Sequence, residues 1–148
     1  MKTSLYHTIL VPVEGTDYDK FIVDHVVKLA QFHGAKLLLF HVADGWAARY
    51  YRESADSPEV RADQKYLDEL AEMLRKKGIE VTTQLGYGDP GDEIIKVARE
   101  KKCDLIAMTT HGHRFISDLV YGSASRKVRH EVDVPVLLLR APRKHARS

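Results

Sequence analysis

Cysteine is almost missing from this chain: of 148 residues, only Cys103 carries a thiol. An internal disulfide is thereby excluded, and the single thiol fits a reducing compartment. Because Cys103 stands just before an apolar run, it is expected to be a buried structural residue rather than a reactive one. Long hydrophobic runs are missing too, and none approaches the roughly 20 apolar residues that a membrane-spanning helix needs. The opening residues, MKTSLYHTILVPV, lack the charged start and long apolar stretch of a secretory leader. Net charge is small: 23 Lys and Arg against 21 Asp and Glu leave +2. Neither nucleic acid nor a membrane is expected as the main partner, and a soluble cytoplasmic protein is the expectation. Internal repeats, low-complexity stretches and linkers are also lacking. One domain is expected over residues 1–140, followed by a short basic tail at 141–148 that carries Arg143, Lys144, His145 and Arg147. That tail reads as a solubilising end rather than an interaction arm.

What is present is a globular balance of 44% hydrophobic and 30% charged residues, in a chain long enough to bury one core. Five apolar runs alternate with helical patterns. Residues 6–13 (YHTILVPV) and 35–42 (AKLLLFHV) read as strands, the second nearly continuous in apolar side chains, as for a strand buried on both faces. Between them, Phe21, Ile22, Val26, Leu29 and Ala30 fall at helical spacing, with Gly34 placed to stop the helix. Ser57 is placed to cap a second helix with Pro58 at its first position, carrying Val60, Tyr66, Leu67, Leu70, Met73 and Leu74 on one side as far as Gly78. Residues 79–85 form a third strand, 86–90 a turn, and Ile94, Ile95, Val97 and Ala98 mark a third helix. A fourth strand is expected at 104–108, a last helix from about Ser123 to His130, and a fifth strand from Val134 to Leu139. This alternation predicts an α/β fold, a single doubly wound domain whose parallel strands are joined by right-handed crossovers with helices on both faces.

In such a sheet, ligands bind beyond the carboxyl ends of the strands, where strand order reverses. Two loops stand out there. One follows strand one, with Pro12, Val13, Glu14, Gly15 and Thr16. The other follows strand four, with Thr109, Thr110, His111, Gly112, His113 and Arg114, and leads to Gly122, Ser123, Ala124 and Ser125. If strands one and four are neighbours, both loops border one crevice. The second loop suits phosphate. Gly112 lets the backbone approach an anion, and Gly122 and Ser123 fall at the expected start of the last helix, whose free amides attract negative charge. Ser123 and Ser125 add hydroxyls, and His113 and Arg114 add positive charge. The same residues also serve as a plain helix cap and a turn, so spacing alone leaves both readings open.

In order and context, ILVPVEGT at 9–16, LLLFHV at 37–42, GDP at 88–90, TTHGHR at 109–114, GSAS at 122–125 and VPVLLLR at 134–140 resemble the universal stress protein family. Nucleotide-binding members of that family carry a glycine, two residues, a second glycine, nine residues, then Gly with Ser or Thr. Gly112 and Gly122–Ser123 match the later positions, whereas Thr109 stands where the first glycine would be, and Glu14 where Asp is usual. The resemblance implies a five-stranded parallel sheet in the order 3-2-1-4-5. It also implies an adenine nucleotide (ATP, ADP or AMP), accompanied in such proteins by Mg²⁺ or Mn²⁺. Pro12 and Glu14 would then border the adenosine, with Val42 lining the adenine pocket. Thr109, His111, Gly112, His113, Gly122, Ser123 and Ser125 would surround the phosphates, and Val13, Thr16, Met108, Arg114 and Ala124 complete the expected nucleotide-binding set. A homodimer through the strand-five edge, Val134 to Leu139, is implied as well, and would solve the hazard of an exposed apolar edge.

No nucleophile elbow and no P-loop is present, so ATP hydrolysis is expected to be slow at most, and a stress-response sensor or regulator fits better than an enzyme. A nucleotide-free family member acting only through protein contacts is the alternative, favoured by Thr109 and Glu14. His41, His111 and His113 lie near strand ends but show no paired ligand spacing, and a structural metal site is not expected. Trp46, Tyr50 and Tyr51 cluster in the irregular stretch 43–57, where covering the sheet edge, binding a partner and closing over the pocket all stay open.

Overall fold

The computed structural model describes residues 3–43, 57–110 and 116–140, and over 116–123 only the course of the backbone. Strands and helices alternate along it as β1 (Thr8–Pro12), α1 (Asp19–His33), β2 (Lys36–Ala43), α2 (Pro58–Arg75), β3 (Val81–Tyr87), α3 (Pro90–Glu100), β4 (Leu105–Thr110), α4 (Ile116–Glu131) and β5 (Val136–Arg140). All pairings are parallel, and the sheet runs β3-β2-β1-β4-β5. The doubly wound α/β architecture and its strand order are as expected from the sequence.

Alternation along each strand sorts the apolar side chains into two layers. On one face, Ile9, Val11, Leu37, Leu39, Val81, Leu105 and Ala107 pack with Ile22 and Val26 of α1 and with Leu67, Ala71 and Leu74 of α2. On the other, Leu10, Leu38, Phe40, Ile106 and Met108 pack with Ile94, Ile95, Val97 and Ala98 of α3 and Val128 of α4. Burial on both faces explains why β2 reads as an unbroken apolar run.

The local signals act through ordinary chemistry. Gly34 ends α1 in a left-handed conformation, φ 65°, with its amide donating to the Ala30 carbonyl. Ser57 caps α2 by accepting from the Val60 amide at 3.1 Å, with Pro58 at the first helical position. Cys103 is buried, as expected.

Two boundaries correct the sequence reading. Residues Gly86 and Tyr87, expected in a turn, continue β3 and pair with Val42 and Ala43. Gly86 belongs in the strand because Phe40 lies against it: a Cβ there would stand 2.5 Å from Phe40 Cζ. The last helix starts at Ile116, not near Ser123. Ile116, Val120, Ala124 and Val128 recur every four residues, a continuous helical stripe that outweighs the cost of Gly122 within it. The Trp46–Tyr50–Tyr51 cluster and the basic tail lie outside the described residues.

Candidate functional site

Strand order reverses between β1 and β4, whose helical connections leave on opposite faces of the sheet. A small hollow lies there at the carboxyl ends of the two strands, lined among the described residues by Pro12, Glu14, Asp19, Met108 and Thr109. This is the position where a doubly wound sheet accepts ligands. Four of the expected site residues, Pro12, Glu14, Met108 and Thr109, therefore come together around it.

The β1 wall is a tight loop with a built-in anchor. Asp19, 3% exposed, turns its carboxylate back from the first turn of α1. Oδ1 accepts from the Glu14 amide at 2.8 Å, and Oδ2 accepts from the Gly15 amide at 2.7 Å and the Thr16 amide at 3.2 Å. The Tyr66 hydroxyl of α2 donates to the same Oδ2 at 2.6 Å. Gly15 holds φ 83°, a left-handed conformation that suits glycine. Thr16 Oγ1 accepts from the Tyr18 amide and donates to Glu14 Oε2 at 3.4 Å. Burial, reinforced by the hydrogen bond to Asp19, pushes the Tyr66 phenol well above the usual tyrosine range, so it acts as a donor.

Val13 turns its side chain into the core on the α1–α2 face, and its carbonyl lies 2.8 Å from His41 Nδ1. A carbonyl only accepts, so Nδ1 carries the hydrogen. His41 Nε2 lies 3.5 Å from Asp63 Oδ2 of α2. His41 thus braces the loop from β2. Among the described residues no group of three His, Cys, Asp or Glu side chains is placed to hold a metal. Val42 is buried with its side chain in the α3-side core, so it offers a ligand only backbone.

The β4 wall ends in Thr109, 7% exposed, whose Oγ1 is buried with no hydrogen-bond partner among the described residues. Buried hydroxyls are nearly always paired, so this one takes its partner from outside the described residues. His111, Gly112, His113 and Arg114 lie outside the described residues. Gly122 and Ser123 sit inside α4 beyond its first turn, where amides are committed to carbonyls four residues earlier. The amides that no carbonyl of the helix itself takes up are those of its actual first turn, at Ile116 and the residues after it. Ala124 and Ser125 are buried, and the Ala124 Cα lies 3.4 Å from where a Cβ on Gly91 of α3 would stand. Ala124 thus faces the α3–α4 contact.

Sequence reasoning missed Asp19 and Tyr66. Asp19 reads as an ordinary first-turn acid, and Tyr66 as one member of an apolar stripe. The one available signal was an acidic residue closing a short glycine loop before a helix.

Comparison with known proteins places this architecture. The profile of the Universal stress protein family matches residues 5–140. A universal stress protein of Thermus aquaticus is 33% identical over 141 residues, covering 92% of this chain and all of the relative. A universal stress protein solved in complex with cAMP has a TM-score of 0.70 at 22% identity, over 93% of this chain and 98% of its own. One from Archaeoglobus fulgidus in complex with dAMP has a TM-score of 0.66 at 21% identity, over 90% and 98%. Among the described residues, no helix is long and apolar enough to cross a membrane. With a matched family profile over nearly its whole length and that family's strand order, the chain belongs to the universal stress protein family.

Proposed function

We propose that this protein binds an adenine nucleotide in the β1–β4 crevice and acts as a stress-response sensor or regulator rather than an efficient enzyme. The observation that carries this reading is the buried Thr109 hydroxyl on the wall of that crevice, unpaired among the described residues. Two fold neighbours were solved with cAMP and with dAMP, which supports the same ligand class.

The electrostatics favour one orientation. Glu14 and Asp19 make the β1 side acidic, and Asp19 already occupies the loop amides that would otherwise face an anion. A neutral nucleoside suits that side, with its sugar hydroxyls able to donate to a carboxylate. The phosphates then lie toward the β4–α4 loop, with Gly112, His113, Arg114 and the first turn of α4 as their surroundings. A divalent ion accompanying a triphosphate would be held chiefly by the phosphates, since no three-residue ligand cluster stands among the described residues. In this reading the binding domain occupies residues 1–140 and the basic tail 141–148 lies outside it. The protein works in the cytoplasm as a homodimer.

Calorimetry with AMP, cAMP and ATP, the last with and without Mg²⁺, tests the reading. Replacing Thr109 with the isosteric Val should weaken binding about 5- to 20-fold, the worth of one buried hydrogen bond. The same change should raise the stability of the ligand-free protein by about 1 kcal/mol, because an unpaired buried hydroxyl is removed. No heat at millimolar nucleotide, with no shift in Tm, would sink the proposal.

A second reading is favoured by the saturation of the loop amides by Asp19 and by the committed amides at Gly122 and Ser123: a nucleotide-free member acting through protein contacts. Mass spectrometry of small molecules released from the purified protein separates the two, since only the first predicts an adenylate.

A further inference from the structure

The loop that walls the crevice does not hold its own shape. Its amides at Glu14, Gly15 and Thr16 all converge on one carboxylate, and that carboxylate is in turn held by a hydroxyl 47 residues away. A carboxylate as buried as Asp19 needs hydrogen-bond donors to offset its lost hydration, and among the described residues it has four. Three come from the loop it moulds. The fourth, Tyr66, comes from α2, and Tyr66 is not among the residues lining the crevice. Asp63, three residues earlier and so on the same side of α2, stands beside His41, which carries the hydrogen bond to Val13. Helix α2 therefore reaches the β1 exit through the Tyr66 hydroxyl, with Asp63 one turn earlier beside His41.

We infer that Asp19 and Tyr66 are positioning residues for the ligand crevice: Asp19 moulds the 14–16 loop, and Tyr66 fixes Asp19 from α2. The inference rests on the nucleotide reading and deepens it. Without the phenol, Oδ2 loses one of its three donors and the carboxylate gains freedom about χ2. Gly15, at φ 83°, then loses part of what holds its turn. The Glu14 wall moves with it, and a ligand must order the loop as it binds, at a cost in affinity.

The test compares wild type, Tyr66→Phe, Asp19→Asn and the double variant in AMP calorimetry, thermal melts and amide exchange. Phe keeps the ring that packs on the α1–α2 core, so a role in packing alone would leave both affinity and loop exchange unmoved. Tyr66→Phe is expected to weaken AMP binding about 5- to 10-fold, a fraction of the worth of one hydrogen bond to a charged group, and to speed exchange at the Glu14, Gly15 and Thr16 amides. Asp19→Asn is expected to lose at least as much, and adding Tyr66→Phe to it should cost nothing further, because Tyr66 acts through Asp19. Unchanged affinity in Tyr66→Phe, or losses that multiply in the double variant, overturns the inference while nucleotide binding stands. If wild type binds no adenylate, both readings fall. If Asp19→Asn does not fold, Tyr66→Phe alone decides by the same criterion.

Discussion

At the scale of single residues, chemistry is set by which groups burial leaves paired. Cys103 is 4% exposed; burial, helped by neighbouring Asp104, pushes its thiol up to about 11 from an ordinary value near 9. It should therefore react sluggishly with thiol reagents in the native state. The shift also carries a pH signature. Between pH 9 and 11 the unfolded chain has released this proton while the native chain keeps it, so stability is fully present below 9 and falls as pH rises through the window. The loss should approach roughly 2–3 kcal/mol. Urea melts of wild type and Cys103→Ala at pH 8 and pH 10.5 check it: the variant should show the shallower decline, and parallel declines would refute the assignment. The burial of Cys103 could be anticipated from the apolar run that follows it. The Asp19–Tyr66 contact could not, because nothing along the chain marks two side chains 47 positions apart as partners.

At the scale of elements, apolar periodicity carried most of the information. β2 was readable because both its faces are covered, and α2 because Ser57 and Pro58 punctuate its start. The start of α4 was misread for a physical reason. Gly122–Ser123 has the composition of a helix cap, yet a four-residue stripe from Ile116 to Val128 passes through it and decides the matter. That error moved the expected anion-binding amides about two turns along the helix. The extension of β3 was missed because glycine usually signals a turn, whereas Gly86 is small to admit the ring of Phe40, which is 0% exposed. Gly86→Ala would place a Cβ 2.5 Å from Phe40 Cζ and 3.0 Å from Cε1. In a close-packed core that overlap should cost about 1–3 kcal/mol. A chemical melt measures it directly, and truncating the ring in Gly86→Ala/Phe40→Leu should recover part of the loss. A variant as stable as wild type would show that the strand shifts freely, contrary to the packing described.

At the scale of the whole molecule, the two edges of the sheet differ. The outer edge, β3, carries the polar side chains Thr82, Thr83 and Gln84, the first exposed and the other two half-buried. The opposite edge, β5, carries Val136, Leu137, Leu138 and Leu139 in succession, all only half-buried, and its described pairing is with β4. An apolar edge with open backbone groups is a template for another strand, and a twofold axis lets the same edge serve both partners. The proposed homodimer would therefore form at β5, whereas in the alternative Pro135 and the basic tail blunt the edge of a monomer. Leu137 packs toward the α1–α2 face and Leu138 toward the α3–α4 face, so a charge at either position tests one side of the edge. Sedimentation equilibrium should find wild type dimeric at micromolar concentration, with a Tm that rises with protein concentration, as mass action requires of a folded dimer. Leu137→Lys and Leu138→Lys should each shift the population toward monomer, because a desolvated ammonium at a symmetric contact meets its own copy across the axis. A wild-type monomer with a concentration-independent Tm would remove the interface outright, and dimers that survive both substitutions would move it to another surface.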